Sequence, residues 1–133
     1  CDTALVLTAI DLPADTNVEE ALGAPLGEAM RGIFGPDALI ARISGLSFAI
    51  LLPQTNLMGA RRAAEVLRVR MAAGTIPLPK PAEISIGIAE REPGHSLSDM
   101  LIRAQWALDE ARRTGGNCVR LAARSTVARP YVA

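Results

Sequence analysis

Short apolar runs alternate along the chain with longer segments that have helical spacing. Residues 4–10 form one such run, and two more lie on either side of Ser44-Gly45. A two-residue loop that contains Gly favours a tight antiparallel hairpin, because Gly adopts a positive φ without a Cβ clash. The predicted hairpin pairs Ala41 with Phe48 and is largely apolar on both faces, so we expect helices to cover both faces.

Three segments have the spacing of amphipathic helices. The first is predicted to begin at a capping box of Thr16 and Glu19 and to begin again at Pro25. The second begins near Leu57 and ends at Gly74. The third is capped by Ser96 with Asp99. Its predicted inward positions are Leu97, Leu101, Ala104, Leu108 and Ala111.

Two further strands are predicted at residues 83–89 and 117–121. The resulting order, β-α-β-β-α-β-α-β, indicates an α/β domain with a central five-stranded mixed sheet flanked by helices. Its parallel crossovers are expected to be right-handed. We assign residues 1–121 to this domain and residues 122–133 to a C-terminal tail.

Composition excludes several function classes. The 133 residues carry 14 Lys plus Arg and 14 Asp plus Glu, so electrostatic capture of nucleic acid or of an anionic membrane is not expected. Cys1 and Cys118 make no disulfide framework, which indicates a cytoplasmic setting. No apolar run approaches the ~20 residues of a membrane span. A chain that begins at Cys without Met is expected to be a piece of a longer protein.

Residues 41–53, A-R-I-S-G-L-S-F-A-I-L-L-P, resemble the signature of the GGDEF family, the diguanylate cyclases. Three further landmarks follow the family's order, and together they extend from Ala4 to about Leu121. They are V-L-T-A-I-D, S-I-G-I-A and I-R-A-Q-W-A-L-D-E-A-R-R-T-G-G-N. The resemblance implies a fold related to nucleotidyl cyclase and polymerase palm domains, and a role in bacterial cyclic di-GMP signalling.

In active members of the family, two acids hold two divalent metals that orient one GTP against another. The resemblance places Ala9 at the first of these acids and Leu46 and Ser47 at the signature acids. Mg²⁺ requires oxygen ligands, chiefly carboxylates and phosphates, which these three side chains do not supply. The signature hairpin, here Ser44, Gly45, Leu46, Ser47 and Phe48, is therefore predicted to be vestigial, with no metal, no cofactor and no diguanylate cyclase activity.

The resemblance leaves few candidates for nucleotide contacts. They are Asp11, Asn17, Glu20 and Arg112, and GTP binding is expected to be weak or absent. Asp11 is explained equally by the turn after the first strand, and Asn17 by the first turn of a helix. The family's inhibitory R-x-x-D site for cyclic di-GMP would fall at residues 35–38. It is absent there, so we expect no product feedback.

Trp106 has the spacing of the polar stripe of the last helix. That stripe comprises Asp99, Arg103, Glu110 and Arg113. Either the indole lies over neighbouring side chains, or it anchors a partner, since Trp is enriched among the residues that dominate binding energy at interfaces.

We therefore predict a catalytically inactive GGDEF-like domain. It is expected to serve as a regulatory, structural or dimerisation module of a larger protein, beside sensor or phosphodiesterase domains, with a homodimer as one arrangement. Three alternatives remain open. One is an active cyclase whose metal ligands are relocated to Asp11, Asp15, Glu19 and Glu20. The second is a GTP-binding allosteric domain, and the third is an unrelated ferredoxin-like binding domain.

Overall fold

The computed structural model describes residues 2–11, 19–44, 47–76 and 82–123, with the backbone alone for Asp11, Ser44 and residues 19–24. It contains five strands and three helices within these ranges. The strands are β1 (Thr3–Asp11), β2 (Leu39–Ser44), β3 (Ser47–Pro53), β4 (Glu83–Glu90) and β5 (Val119–Leu121). The helices are α1 (Glu19–Phe34), α2 (Leu57–Ala73) and α3 (Leu97–Arg113).

The strands form one mixed sheet in the order β2-β3-β1-β4-β5. β1 lies at the centre and pairs antiparallel with both β3 and β4. β4 pairs with β5 in parallel, across the connection made by α3. This arrangement confirms the predicted α/β architecture with a five-stranded mixed sheet.

The hairpin pairs one position away from the predicted register. Ala41 lies opposite Ala49 rather than Phe48, and Ser44 lies opposite Ser47, so the prediction of a Ser44-Gly45 loop is wrong. The pairing shifts between Arg42 and Ser44, where β2 contains an irregularity of the kind a β-bulge makes. An extra residue in one strand changes the register, and apolar alternation alone cannot reveal it. Gly45 and Leu46 lie outside the described residues.

Apolar side chains cover both faces of the sheet, as a central sheet between helices requires. On one face, Val6, Ile50 and Ile88 pack with residues of α1 and α2 such as Leu26 and Leu67. On the other face, side chains of β1 and β4 pack against α3. This second core contains Leu5, Leu7, Ala9, Ala89, Met100, Ala104 and Leu108.

Capping residues fix the ends of α2 and the start of α3, and Gly74 and the Ser96–Asp99 box were predicted from the sequence. The Asn56 side chain caps the start of α2, and Gly74 ends it in the left-handed region at φ 76°. Ser96 and Asp99 form the predicted capping box of α3. The backbone N–H of Ser96 donates to the Asp99 carboxylate, which lowers the pKa of Asp99 below its ordinary value.

The beginning of α1 differs from the prediction. The helix is continuous from Glu19 to Phe34, and Pro25 lies inside it rather than at a second start. Proline removes one backbone hydrogen bond from a helix interior. The buried side chains of Leu26 and Met30 follow directly after Pro25 and hold this part of α1 against the sheet. Thr16, the predicted cap, lies outside the described residues.

The two faces of the sheet are covered unequally. Five strands about 4.8 Å apart need roughly two helices of about 10 Å diameter on each face. Among the described residues, one face has α1 and α2, whereas α3 on the other face packs mainly on β4, β1 and β5 and does not cover β2 and β3. Leu97 and Leu101, predicted to point inward, are 53% and 38% exposed for this reason.

Candidate functional site

The end of β1 lies beside the signature hairpin, as the resemblance implies. Ala9 is 6% exposed and lies between Ser47 of β3 and Ser85 of β4, which are its partners in the two neighbouring strands. Next to it, the buried Thr8 hydroxyl accepts from the Phe48 backbone N–H at 3.3 Å. The sheet therefore presents the Ala9 methyl group and Ser47 at two positions where the resemblance places acids, with Ser85 beside Ala9 on β4.

These residues do not fit a pair of divalent cations. Ser47 is half-buried, and the Ser85 hydroxyl is fully buried without a hydrogen-bond partner among the described residues. Neutral hydroxyls and a methyl supply none of the carboxylate oxygens with which proteins hold Mg²⁺. No cluster of three or more His, Cys, Asp or Glu residues with metal-binding geometry occurs in the described ranges.

Two carboxylate residues meet at the same end of the sheet. Asp11 is the last residue of β1, and its Cα is paired with that of Glu83, the first residue of β4. Directly paired residues of an antiparallel sheet have Cα atoms about 4.5 to 5.5 Å apart. Sequence reasoning identified Asp11 but missed Glu83, because the strand register, and no local motif, brings them together.

Two of the other predicted nucleotide contacts belong to described helices. Glu20 belongs to the first turn of α1, and Asn17 lies outside the described residues. Arg112 is exposed in the last turn of α3. The structure provides no distance that brings these residues together, so their role stays a prediction.

The segment at the position of the family's inhibitory site forms the turn between α1 and β2. Gly35 adopts φ 103°, and Ala38 is buried. The Arg31 guanidinium donates to the Ala38 carbonyl at 3.3 Å and so holds this turn against α1. The predicted absence of product feedback is untested by these contacts.

An apolar groove follows the open strands between β2 and α3. We define it by Leu39, Ala41, Ala49, Leu51 and Leu101, which line about 470 Å³. A contiguous depression of about 360 Å³ is bordered by Ile43, Ile102 and Trp106. Six of the nine exposed large apolar side chains among the described residues border this surface. They are Leu39, Ile43, Leu97, Leu101, Ile102 and Trp106.

Trp106 is 71% exposed, the highest value among the large apolar side chains that the structure describes. This exposure is compatible with both predicted roles of the indole, one in which it lies over neighbouring side chains and one in which it anchors a partner. With Ile102 it forms what we call the outer face of α3, opposite the side chains that pack on the sheet. Monomeric proteins rarely expose contiguous apolar surface of this kind unless it binds something.

Arg103 was predicted to lie on the polar stripe of α3, but it is only 9% exposed. Its guanidinium pairs with Glu92 at 2.8 Å and donates to the Glu90 carbonyl at 2.8 Å and the Ala123 carbonyl at 3.2 Å. The Glu90 carboxylate in turn accepts from the Leu57 N–H at the start of α2. This buried network ties both helices to the end of β4.

None of the described helices is long and apolar enough to cross a membrane.

Comparison with known proteins identifies what this chain resembles. Residues 18–118 match the family described as diguanylate cyclase, GGDEF domain. Over 81 residues, 61% of the chain, it is 36% identical to the diguanylate cyclase DgcM of Escherichia coli K12. The chain covers 20% of the length of that relative.

Solved structures share the fold over almost the whole chain. The active GGEEF domain of a diguanylate cyclase from Vibrio cholerae superposes with a TM-score of 0.77 at 21% identity, covering 93% of this chain and 85% of that one. Diguanylate cyclase SiaD of Pseudomonas aeruginosa, solved with its activator SiaC, gives 0.76 at 25% identity, covering 91% and 50%.

These comparisons confirm the family resemblance, and they contradict one prediction. The sequence-based prediction that the chain is not an enzyme rested on Ala9, Leu46 and Ser47. The matched family and the relative that is 36% identical are both named for diguanylate cyclase activity, so that prediction is wrong. The substitutions at Ala9, Leu46 and Ser47 change the chemistry at those three positions. They do not by themselves determine what the whole domain does.

Proposed function

Because the chain belongs to the family described as diguanylate cyclase, GGDEF domain, we propose that it is a regulatory domain of cyclic di-GMP signalling that acts through protein contacts. The groove between β2 and α3, with the outer face of α3 beside it, is the surface for these contacts. Sensor or phosphodiesterase domains of the longer protein are the expected neighbours. This role is compatible with nucleotide turnover and does not require it.

The single observation that supports this proposal is the exposure of Trp106 beside the groove. Its side chain is 71% exposed, and Ile102 and Ile43 on the same surface are 51% and 58% exposed. Each large apolar side chain left in water forgoes about 1.5 to 3 kcal/mol relative to full burial. A surface that gathers such residues on one side gains most when a partner covers it.

Replacing Trp106 with arginine in the full-length protein is expected to change the cellular level of cyclic di-GMP at least threefold. The substitution removes the largest exposed apolar side chain and places a charge at the centre of the contact surface. Cyclic di-GMP would be quantified by mass spectrometry in cells that produce the wild-type or the variant protein at equal abundance.

Val69→Arg is the matched control for this experiment. Val69 is 53% exposed on α2, on the other side of the sheet, so the control adds the same charge at another exposed apolar position. The control is expected to leave the cyclic di-GMP level unchanged. Equal effects of the two variants, or none from Trp106→Arg, would refute a regulatory role for this surface.

A second candidate function is cyclase activity with relocated metal ligands. The observation in its favour is the pairing of Asp11 with Glu83 at the end of β1, two residues beyond Ala9. Carboxylate pairs are the usual protein ligands of Mg²⁺. We derive no reaction step from them, because the structure describes the backbone alone for Asp11.

If this second candidate is correct, purified protein with GTP and Mg²⁺ will form cyclic di-GMP, and both Asp11→Asn and Glu83→Gln will lower the rate at least a hundredfold. Glu28→Gln, at an exposed position of α1, provides the control. Product formation that survives both substitutions would place the metal ligands elsewhere. Absence of product from the wild-type protein would leave the regulatory role alone.

A further inference from the structure

We propose that the buried network around Arg103 is a relay through which the segment after β5 and the start of α2 act on α3. The proposal rests on the proposed function, because α3 carries the outer face that the proposed function assigns to protein contacts. We call Ala122 and Ala123, which directly follow β5, the exit segment. A series of hydrogen bonds joins the exit segment, α3 and α2 at one end of the sheet.

The exit segment is bound to both β4 and α3. The Ala122 N–H donates to the Ile88 carbonyl at 2.7 Å, and the Ala123 carbonyl accepts from Nη2 of Arg103 at 3.2 Å. The Glu92 carboxylate holds the same guanidinium at 2.8 Å. A displacement of the exit segment therefore breaks the bond to Arg103 or moves its guanidinium.

The network continues from α3 to α2, which lies on the opposite face of the sheet. Nη1 of Arg103 donates to the Glu90 carbonyl at 2.8 Å, and the Glu90 carboxylate accepts from the Leu57 N–H at 3.1 Å. Leu57 is the first residue of α2. The N–H groups of a first helical turn have no partner within the helix, so this carboxylate holds the start of α2. Glu90 thus contacts both helices.

The closed arrangement of this network leaves one donor of Arg103 without a partner. Its Nε is buried and makes no hydrogen bond within the part of the chain that the structure describes. A buried N–H without a partner raises the free energy of the arrangement that contains it. The contact with the Ala123 carbonyl is the longest of the three, and its release lets the guanidinium turn towards water and away from the Glu90 carbonyl. We therefore expect a closed and an open arrangement, and coupling between separate sites uses two such discrete arrangements.

The outer face of α3 is part of the same helical turns. Ile102 directly precedes Arg103, Trp106 follows one turn later, and both apolar side chains are exposed. A partner that covers the outer face therefore also fixes the position of Arg103. Such a partner shifts the balance between the closed and open arrangements. By reciprocity, opening the network changes the affinity for the partner by the same factor.

Amide hydrogen exchange of the purified chain, followed by NMR, tests the relay. Ala122→Pro removes the N–H that binds the exit segment to Ile88, and it is expected to speed exchange of the Leu57 N–H at least threefold. The Phe48 N–H, which is bound to the Thr8 hydroxyl, is the control amide. It should keep its wild-type rate, whereas a general loss of stability would speed both amides.

A background without the relay provides the sharper test. Arg103→Met with Glu92→Gln removes the network and leaves no buried carboxylate without its guanidinium. Adding Ala122→Pro to this background should not speed Leu57 exchange further. Arg103→Lys is a second probe, because it keeps a positive charge but loses the fork that reaches two carbonyls at once. It should speed exchange of the Ala122 and Leu57 amides at least threefold.

Three results would each overturn the proposal. The first is a Leu57 exchange rate that neither Ala122→Pro nor Arg103→Lys changes. The second is equal acceleration of the Phe48 amide. The third is the same acceleration by Ala122→Pro in the background without the relay.

The indole N–H of Trp106 provides the readout for α3 itself. Trp106 is the single tryptophan, so its indole gives one NMR signal. Ala122→Pro is expected to shift this signal, because the opened network releases Arg103 one turn away on the same helix. A signal that stays at its wild-type position would overturn the action of the relay on α3.

The level of cyclic di-GMP separates the relay from the proposed function. If the exchange experiments show coupling but the level is insensitive to Trp106→Arg, the relay stands and the proposed function fails. If Trp106→Arg changes the level but Ala122→Pro does not speed Leu57 exchange, the surface is regulatory and the relay is refuted.

Discussion

Replacing Gly87 with alanine is expected to destabilise the domain by about 3 kcal/mol or more and to lower its melting temperature by about 10 °C or more. A Cβ at this position would lie 2.3 Å from the Leu108 backbone nitrogen and 2.4 Å from the Ala104 carbonyl oxygen. Both neighbours are backbone atoms of α3, which cannot move independently of the helix. The methyl group would therefore push α3 away from β4 and open the second core.

Gly32→Ala is the matched control for this prediction. Gly32 lies inside α1, and a Cβ there meets nothing within 4 Å. Alanine in a helix interior is more stable than glycine by roughly 0.5 to 1 kcal/mol, so the control should be neutral or stabilising. Thermal melts followed by circular dichroism would compare the two variants with the wild type. If the melting temperature of the Gly87→Ala variant lies within about 3 °C of the wild-type value, the packing of α3 does not depend on this close approach.

Replacing Arg103 with alanine is expected to cost about 3 to 5 kcal/mol of unfolding free energy. The substitution removes the 2.8 Å ion pair between Arg103 and the 8%-exposed Glu92 carboxylate, whose contact with His95 is longer at 4.0 Å, and it removes the hydrogen bonds to the Glu90 and Ala123 carbonyls. A buried charge without its partner is costly, whereas the pair itself contributes little. Denaturant unfolding would measure the loss.

Two further variants test the physical reason for this loss. Arg113→Ala removes an ion pair with Glu110, but the Arg113 side chain is 74% exposed, so we expect a loss below about 1 kcal/mol. Arg103→Met combined with Glu92→Gln should recover stability relative to Arg103→Ala, because no buried carboxylate then lacks its guanidinium. If the double variant is less stable than Arg103→Ala, the cost does not come from the charge of the Glu92 carboxylate.

Sequence reasoning predicted the architecture because its strongest signals are local. Helix caps at Ser96 and Gly74, the apolar period of the helices and the strand landmarks all depend on neighbouring residues. Gly87 shows why two of the landmarks accompany each other. Because Gly87 in S-I-G-I-A has no Cβ, it leaves room for backbone atoms of Ala104 and Leu108. These two residues belong to the landmark in α3. The predicted fold was correct because these landmarks contain residues that pack against each other in it.

The features that the sequence did not reveal depend on contacts between residues that are far apart in the sequence. The hairpin register changed by one position because β2 has an irregularity between Arg42 and Ser44. Arg103 looked like a surface residue of α3 because its partner Glu92 lies in the loop after β4, outside the helix period. Glu83 became a neighbour of Asp11 only through the pairing of β1 with β4.

The groove was missed for a related reason. Helical spacing predicted that Leu97 and Leu101 point inward, but it could not show that they lie beside β2 and β3 and stay exposed there. Periodicity identifies which side chains avoid water and does not identify what covers them. The exposed apolar surface is the part of the structure on which the proposed function depends.

The central claim is that this surface takes part in cyclic di-GMP signalling through protein contacts. Its most direct test is the cyclic di-GMP level in cells that produce full-length Trp106→Arg or Val69→Arg at the abundance of the wild-type protein. We expect Trp106→Arg to change the level at least threefold and Val69→Arg to leave it unchanged. A level that Trp106→Arg leaves unchanged, or that both variants change equally, would contradict the claim.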